Sequence, residues 1–189
     1  MTHIWSHNLI FFYHLQKKFI QNSKAVQTLR REHIVFLPEL SIGEDMLFVF
    51  QYLHYCRSIC FSKDAGYHYT IAQGSAMFSS RDYTQPYEKT FKVMSEKGRF
   101  PFPIADRTLS RWAFDASIII IANPFIIDRN YAEFKKWWRE FRQTALYRAA
   151  VASGKPSGYK RRVLHFALHS ENTIAIYVLF RLLRFGKKK

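Results

Sequence analysis

Two adjacent carboxylates, Glu44 and Asp45, follow Gly43 where the sequence pattern starts a helix. Ser41 stands three residues before Glu44, the S-x-x-E form of a capping box, so Glu44 is expected to reach back to the main-chain N–H of the cap. Any acid in a first turn also gains about 0.3–1 kcal/mol from the helix dipole. Capping leaves Asp45 unexplained, because its side chain projects about 100° further round a helix of 3.6 residues per turn. A carboxylate kept ionised at a helix N-terminus can accept the proton of an incoming hydroxyl, which is what group transfer to an alcohol requires.

Other reactive side chains have more ordinary readings. Cys56 and Cys60 are four apart with no Cys or His companions at metal-ligand spacing, so they are read as reduced core thiols and no metal site is expected. His68 lies between Tyr67 and Tyr69, where it could approach a diphosphate, against the plainer reading of a structural histidine. Trp137 and Trp138 could stack on a sugar ring or sit at a lipid interface, although packing accounts for at least one of them. His7, His14, His165 and His169 have no carboxylate at useful spacing, and Gly154–Gly158 lacks the residue order of a phosphate-binding loop.

The elements that would hold these groups can be read from apolar spacing. Met46, Leu47, Phe50, Leu53 and Ile59 or Cys60 keep a 3.6-residue period and predict a helix from about Gly43 to Ile59. His33–Phe36, stopped by Leu37-Pro38, reads as a short strand, as do residues 59–61 and 66–71. Tyr83–Glu96 reads as a helix broken by the Pro101-Phe102-Pro103 stretch. Leu109–Ile121 forms an apolar run that ends before Asn123-Pro124. Residues 130–152 place Tyr131, Phe134, Trp137 or Trp138, Phe141 and Leu146 on one helical face, and a last amphipathic helix runs from about Tyr159 to Phe185.

At 189 residues the chain is long enough for one core with an added helical part. Its 48% apolar and 23% charged composition excludes a wholly disordered or collagen-like protein. The formal charge of +15 calls for a polyanionic partner. That charge is uneven, since Arg129–Lys189 holds 15 basic and 3 acidic residues. No signal-peptide pattern opens the sequence, and the longest apolar run is too short for a bilayer, which needs about 20 residues. The expected location is cytoplasmic, peripheral on the inner face of the cell membrane. Lys160, Arg161, Arg162, Arg181 and Arg184, next to Leu and Phe side chains, are the expected contacts to an anionic membrane. A nucleic-acid partner is disfavoured, because no zinc-finger, RNA-recognition or helix-turn-helix signature accompanies the charge.

One stretch carries a resemblance. Ile34-Val35-Phe36-Leu37-Pro38 leads into Gly43-Glu44-Asp45-Met46-Leu47-Phe48, then Tyr52-Leu53, Tyr67-His68-Tyr69 and Gly74-Ser75. Over roughly Leu29–Ser75, order and spacing resemble the acceptor-side half of family 2 glycosyltransferases, in which a strand bearing Phe precedes a G-E-D-x-x-F helix and a Y-x-Y strand follows. The resemblance implies an α/β fold: a partial GT-A-like unit of few short strands plus helices over residues 1–80. A helical extension over 81–152 and a basic amphipathic tail over 153–189 would follow it.

It also implies inverting sugar transfer from a nucleotide-sugar donor to a glycan or lipid-linked acceptor in cell-envelope polysaccharide synthesis. Asp45 would then be the general base, Glu44 and Trp5 acceptor-binding residues, and His68 and Tyr69 substrate-binding. The family's V-S-I-I-x-P-x-Y-N strand, D-D-G-S segment and D-x-D metal motif are absent, and no Asp-x-Asp occurs anywhere. The chain is therefore expected to be a C-terminal portion or degenerate member, inactive alone, with no cofactor of its own. A complete enzyme would use a divalent cation, Mg or Mn. The competing expectation is a basic nucleic-acid-binding or structural interaction protein without catalysis.

Overall fold

The alternation of apolar runs with Pro, Gly and Asn resolves into helices. The computed structural model describes residues 23–58, 81–154, 156, 158–170 and 172–185, and every regular element among them is α-helical. No strand is found among the described residues, which corrects the α/β, GT-A-like expectation. Contacts divide the chain into two compact units, Met1–Phe78 with Phe100–Phe102, and Ser79–Arg99 with Pro103–Lys189.

In the first unit, α1 (Ser23–Arg31) and α2 (Glu44–His54) are joined by the segment expected to be a strand. His33 takes a positive φ of 50°, and the Ile34 N–H donates back to the Leu29 carbonyl at 2.9 Å. That main chain closes α1 and enters no sheet ladder. Of its β-branched and aromatic residues Ile34 is buried, and against a helix: it packs with Phe48 and Val49 of α2, bordered by Leu29, Tyr52, Leu53 and Tyr55, while Val35 and Phe36 stay exposed. Tertiary packing has outweighed strand propensity. Helix α2 stops short of the expected Ile59, because Tyr55 and Cys56 bond to the carbonyls of Tyr52 and Leu53, a three-residue tightening that ends helices. Phe102 joins this unit by stacking on His54, their ring centroids 5.2 Å apart. The other two expected strands, 59–61 and 66–71, lie outside the described residues.

The second unit is a helical assembly around α4. In order it contains α3 (Thr84–Ser95), α4 (Asp106–Ala122), the short α5 (Pro124–Ile127), α6 (Tyr131–Phe141), α7 (Ala145–Val151), α8 (Tyr159–His169) and α9 (Thr173–Phe185). Helix α4 is the apolar run read from the sequence, and it touches α3, α5, α7 and α9. Ala113, Phe114, Ile120 and Ile121 lie at its buried face. An aromatic cluster completes the core, with Trp137 stacked on Phe141 at 5.0 Å and Trp138 edge-on to Tyr147 at 5.4 Å.

Side-chain caps explain where two expected long helices divide. Thr144 accepts the Tyr147 N–H at 3.0 Å and starts α7, so residues 130–152 form two helices, the first capped by Asn130 on the Glu133 N–H at 3.0 Å. The single helix expected over 159–185 is likewise two. Asn172 accepts the Ala175 N–H at 3.0 Å and restarts the chain as α9. Both α8 and α9 bury a face, through Leu164, Ala167 and Leu168 and through Ile176, Tyr177 and Phe180. The basic tail is therefore part of the second unit's core.

Candidate functional site

The Glu44–Asp45 pair opens α2 on a glycine that the backbone requires. Gly43 sits at φ 78°, ψ 6°, the left-handed region where a Cβ is strained, and it forms the N-cap without any side-chain bond. The capping-box reading of Ser41 and Glu44 is corrected by this register. Glu44 is already the first helical residue, one position after the cap, and cannot serve as the third-turn-position partner of Ser41. Both acids sit in the first turn, in the field of the helix dipole.

Asp45 is half-buried, and its Oδ1 accepts the Met46 N–H at 2.7 Å. Among the described residues neither Asp45 nor Glu44 enters an ion pair. A base must have an oxygen to offer, and no cation among the described residues consumes this one. Next to it, Phe36 of the incoming segment lies flat on Phe48 of α2, with centroids 4.2 Å apart and planes 3° from parallel. This contact fixes the approach of the chain to the helix that carries the acids. At the other end of α2, Cys56 donates to the Tyr52 carbonyl at 3.6 Å, and burial pushes its thiol up, away from the thiolate form that would react.

Trp5, His68, Tyr69 and Cys60 lie outside the described residues. Trp137 and Trp138 are both core residues. Trp137 donates to the Thr84 hydroxyl at 3.3 Å, and the Trp138 indole N–H is buried without a hydrogen-bond partner. Neither ring is left to stack on a sugar. Among the described residues no three His, Cys, Asp or Glu side chains come together where a metal could be held.

The five expected membrane-contact cations separate into two kinds. Arg161 pairs with Asp115 of α4 and lies over the Phe114 ring at 5.7 Å, and Arg181 donates to the Tyr177 hydroxyl at 2.6 Å, which in turn donates to the Arg129 carbonyl at 2.8 Å. Those two fasten helices inside the second unit. Lys160 and Arg162 are exposed, and Arg162 reaches the Pro156 carbonyl at 3.4 Å. Arg184 lies in α9, with its side chain outside the described set.

Two clusters escaped the sequence reading. Burial pushes the Asp115 carboxyl up, and the Arg161 guanidinium pulls it back down. The signal was present, since Asp115 is the sole acid in the apolar run Leu109–Ile121 and such a carboxylate needs a cation. On α8, His165 donates through Nε2 to the Ser153 carbonyl at 2.8 Å, and Nε2 of His169 lies 3.3 Å from that same nitrogen. Their four-residue spacing on a helix could have announced the pair.

No family model, curated protein or solved structure matches the chain. No helix among the described residues is long and apolar enough to cross a membrane.

Proposed function

We propose that the chain is the acceptor-side part of a family 2 glycosyltransferase, completed by a nucleotide-binding half that holds the sugar donor and any divalent cation. Asp45 is the base of the reaction. The acceptor hydroxyl gives its proton to the Asp45 carboxylate while its oxygen attacks the anomeric carbon. The bond to the departing nucleoside diphosphate breaks, and the sugar is transferred with inversion. Glu44, one residue earlier in the same turn, hydrogen-bonds the acceptor. No step assigned to these residues runs through a metal. The acceptors are glycan or lipid-linked chains of the cell envelope, met at the inner face of the membrane where the protein attaches peripherally.

The observation that carries this reading is the state of Asp45: half-buried, steadied by one main-chain N–H, and without an ion-pair partner among the described residues. Two features of the G-E-D-x-x-F stretch support it further. Its glycine occupies a conformation that other residues adopt only with strain, and its phenylalanine, Phe48, stacks on the phenylalanine of the preceding segment.

The test is transfer of radiolabelled sugar to a glycan acceptor by this chain joined to a nucleotide-binding half that carries its own D-x-D motif. Asp45→Asn should lower kcat by about 10²–10⁴-fold, the usual worth of a positioned base, with donor binding intact. Glu44→Gln should act mainly on the KM for the acceptor. Transfer unchanged by Asp45→Asn would reduce the pair to a helix-starting device.

A further inference from the structure

Helix α9 is apolar on both sides. Ile176, Tyr177 and Phe180 fill the core of the second unit, a side that the helix needs for its own folding. The opposite side consists of Ile174, Ala175, Val178, Leu182 and Leu183, all exposed, with Ile174 at 58% and Leu182 at 64%. Their spacing sets them on one continuous face. A helix hydrophobic all round is ordinarily enclosed by other protein or by lipid. Arg181, three residues after Val178, borders this face, and its guanidinium is turned to the Tyr177 hydroxyl.

The neighbouring helix supplies amphipathic and cationic residues. Tyr159, Arg162 and Phe166 share one side of α8 at spacings of three and four, all exposed, Tyr159 at 82% and Phe166 at 77%. Helices α8 and α9 touch. Around them the sequence is strongly basic: from Lys155 to Lys189 it holds 9 basic residues and a single acid, Glu171. An apolar face in a positive field matches an acyl layer under negative headgroups. A second copy of this chain would bring the same positive charge to the same place.

We infer that the outer face of α9 is the membrane-insertion face of this protein: Ile174, Val178 and Leu182 enter the acyl boundary of an anionic bilayer with α9 lying in the interface plane, and the exposed Lys160 and Arg162 of the touching helix α8 bind the lipid phosphates. With thirteen residues, α9 lies on the bilayer and does not cross it. The inference rests on the peripheral-attachment part of the proposed function and is independent of the transfer chemistry. It moves the contact away from Arg161 and Arg181, which the fold uses internally, to exposed apolar side chains.

The experiment is co-flotation of the whole chain with phosphatidylcholine vesicles, with and without phosphatidylglycerol, at low and high salt. The wild-type chain should float with the anionic vesicles and much less with the neutral ones, and salt should weaken this binding without abolishing it. Val178→Ser/Leu182→Ser changes no charge and touches exposed positions, so its circular dichroism and melting should match wild type while partitioning falls about tenfold or more.

Undiminished flotation of that variant would overturn the insertion face and leave peripheral attachment standing on charge alone. Failure of the wild-type chain to float with anionic vesicles at low salt would overturn both. Sedimentation equilibrium separates the remaining case: a dimer abolished by Val178→Ser/Leu182→Ser, without vesicle binding, would assign the face to a second copy and overturn the inference.

Discussion

The two units of this chain differ in what their described cores are built from. In the second unit, Trp138, Phe114, Phe134 and Phe141 are fully enclosed, and the buried Tyr147 and the half-buried Arg161 tie one helix to another. In the first, the described buried apolar residues are Ile34, Leu40, Leu47, Phe48 and Val49, and the two carboxylates for which a chemical use is proposed stand at the start of α2. An aromatic core holds a basic surface in place in the second unit, while a helix with an aliphatic buried face presents the acids in the first. Residues that react must stay reachable, and reachable residues cannot also be the ones a core is built on.

The harshest challenge to that contrast is a cavity in each unit. Trp138→Ala should cost about 3–5 kcal/mol, the range for removing a large enclosed ring. Val49→Ala removes two methyl groups and should cost about 2 kcal/mol. Denaturant melts measure both, and hydrogen exchange should find the amides of α4 and α6 protected more strongly than those of α1 and α2. Equal costs, or equal protection, would erase the distinction.

A second challenge concerns the ion pair. Asp115 and Arg161 keep 27% and 21% of their side-chain surface, so water screens them in part. Arg161→Met should therefore cost about 2 kcal/mol, below the 3–5 kcal/mol of a fully buried broken pair, and Arg161→Met/Asp115→Leu should recover most of the loss. The dependence on pH has a definite sign. Burial raises the Asp115 carboxyl above its unfolded value, so its contribution is most favourable in acid, below the ordinary carboxylate value, and is lost as pH rises through the raised folded one. Removing Arg161 raises it further, and the cost of Arg161→Met should be larger at neutral pH than near pH 4.

Gly43 tests the first unit alone. Replacing it with Ala places a Cβ at φ 78° and should cost about 1 kcal/mol, read in the melt and in faster exchange of the α2 amides. A stabilising outcome would mean that the turn before Glu44 is not held in the left-handed region, and the placement of both acids would have to be redrawn.

How far the sequence reveals this arrangement depends on which forces decide each element. Helices α2 and α3 are legible from their apolar spacing and the Pro and Gly breakers beside them, whereas α4 is visible in the sequence only as an apolar run. The division of 130–152 and of 159–185 is hidden, because Thr144 and Asn172 are polar residues in otherwise helical patterns and only the cap geometry shows them ending one helix and beginning another. His33–Phe36 is misread as a strand for a different reason. Its composition is that of a buried extended segment, and whether such a segment pairs with a neighbour or packs on a helix is settled by tertiary contacts that no local pattern contains. At the candidate site, the identity of the acids was readable. Their register was not, since Ser41 offers a capping signature that the left-handed Gly43 pre-empts.

The mildest effect belongs to the histidines of α8, and it sharpens the comparison by asking whether the packed unit also responds to pH. Burial holds the His169 ring below the usual histidine value, and the His165 ring beside it adds to the depression. A base with a lowered folded value binds protons less readily than in the unfolded chain. Its stabilising contribution is complete above the unfolded value of about 6.5 and is lost as pH falls through the lower folded one. His169→Gln removes that titration, so the variant's melting temperature should fall less than that of wild type as pH drops below about 6.5. One site cannot contribute more than about 1.4 kcal/mol per pH unit, and the exposure of His169 to solvent should keep the measured slope well under that limit. A wild-type melting temperature that is flat over this window, or a variant that parallels it, would mean that the 3.3 Å approach of the two rings carries no electrostatic weight. The histidine pair would then contribute nothing to the pH dependence of the second unit, which would be left with that of the Asp115–Arg161 pair.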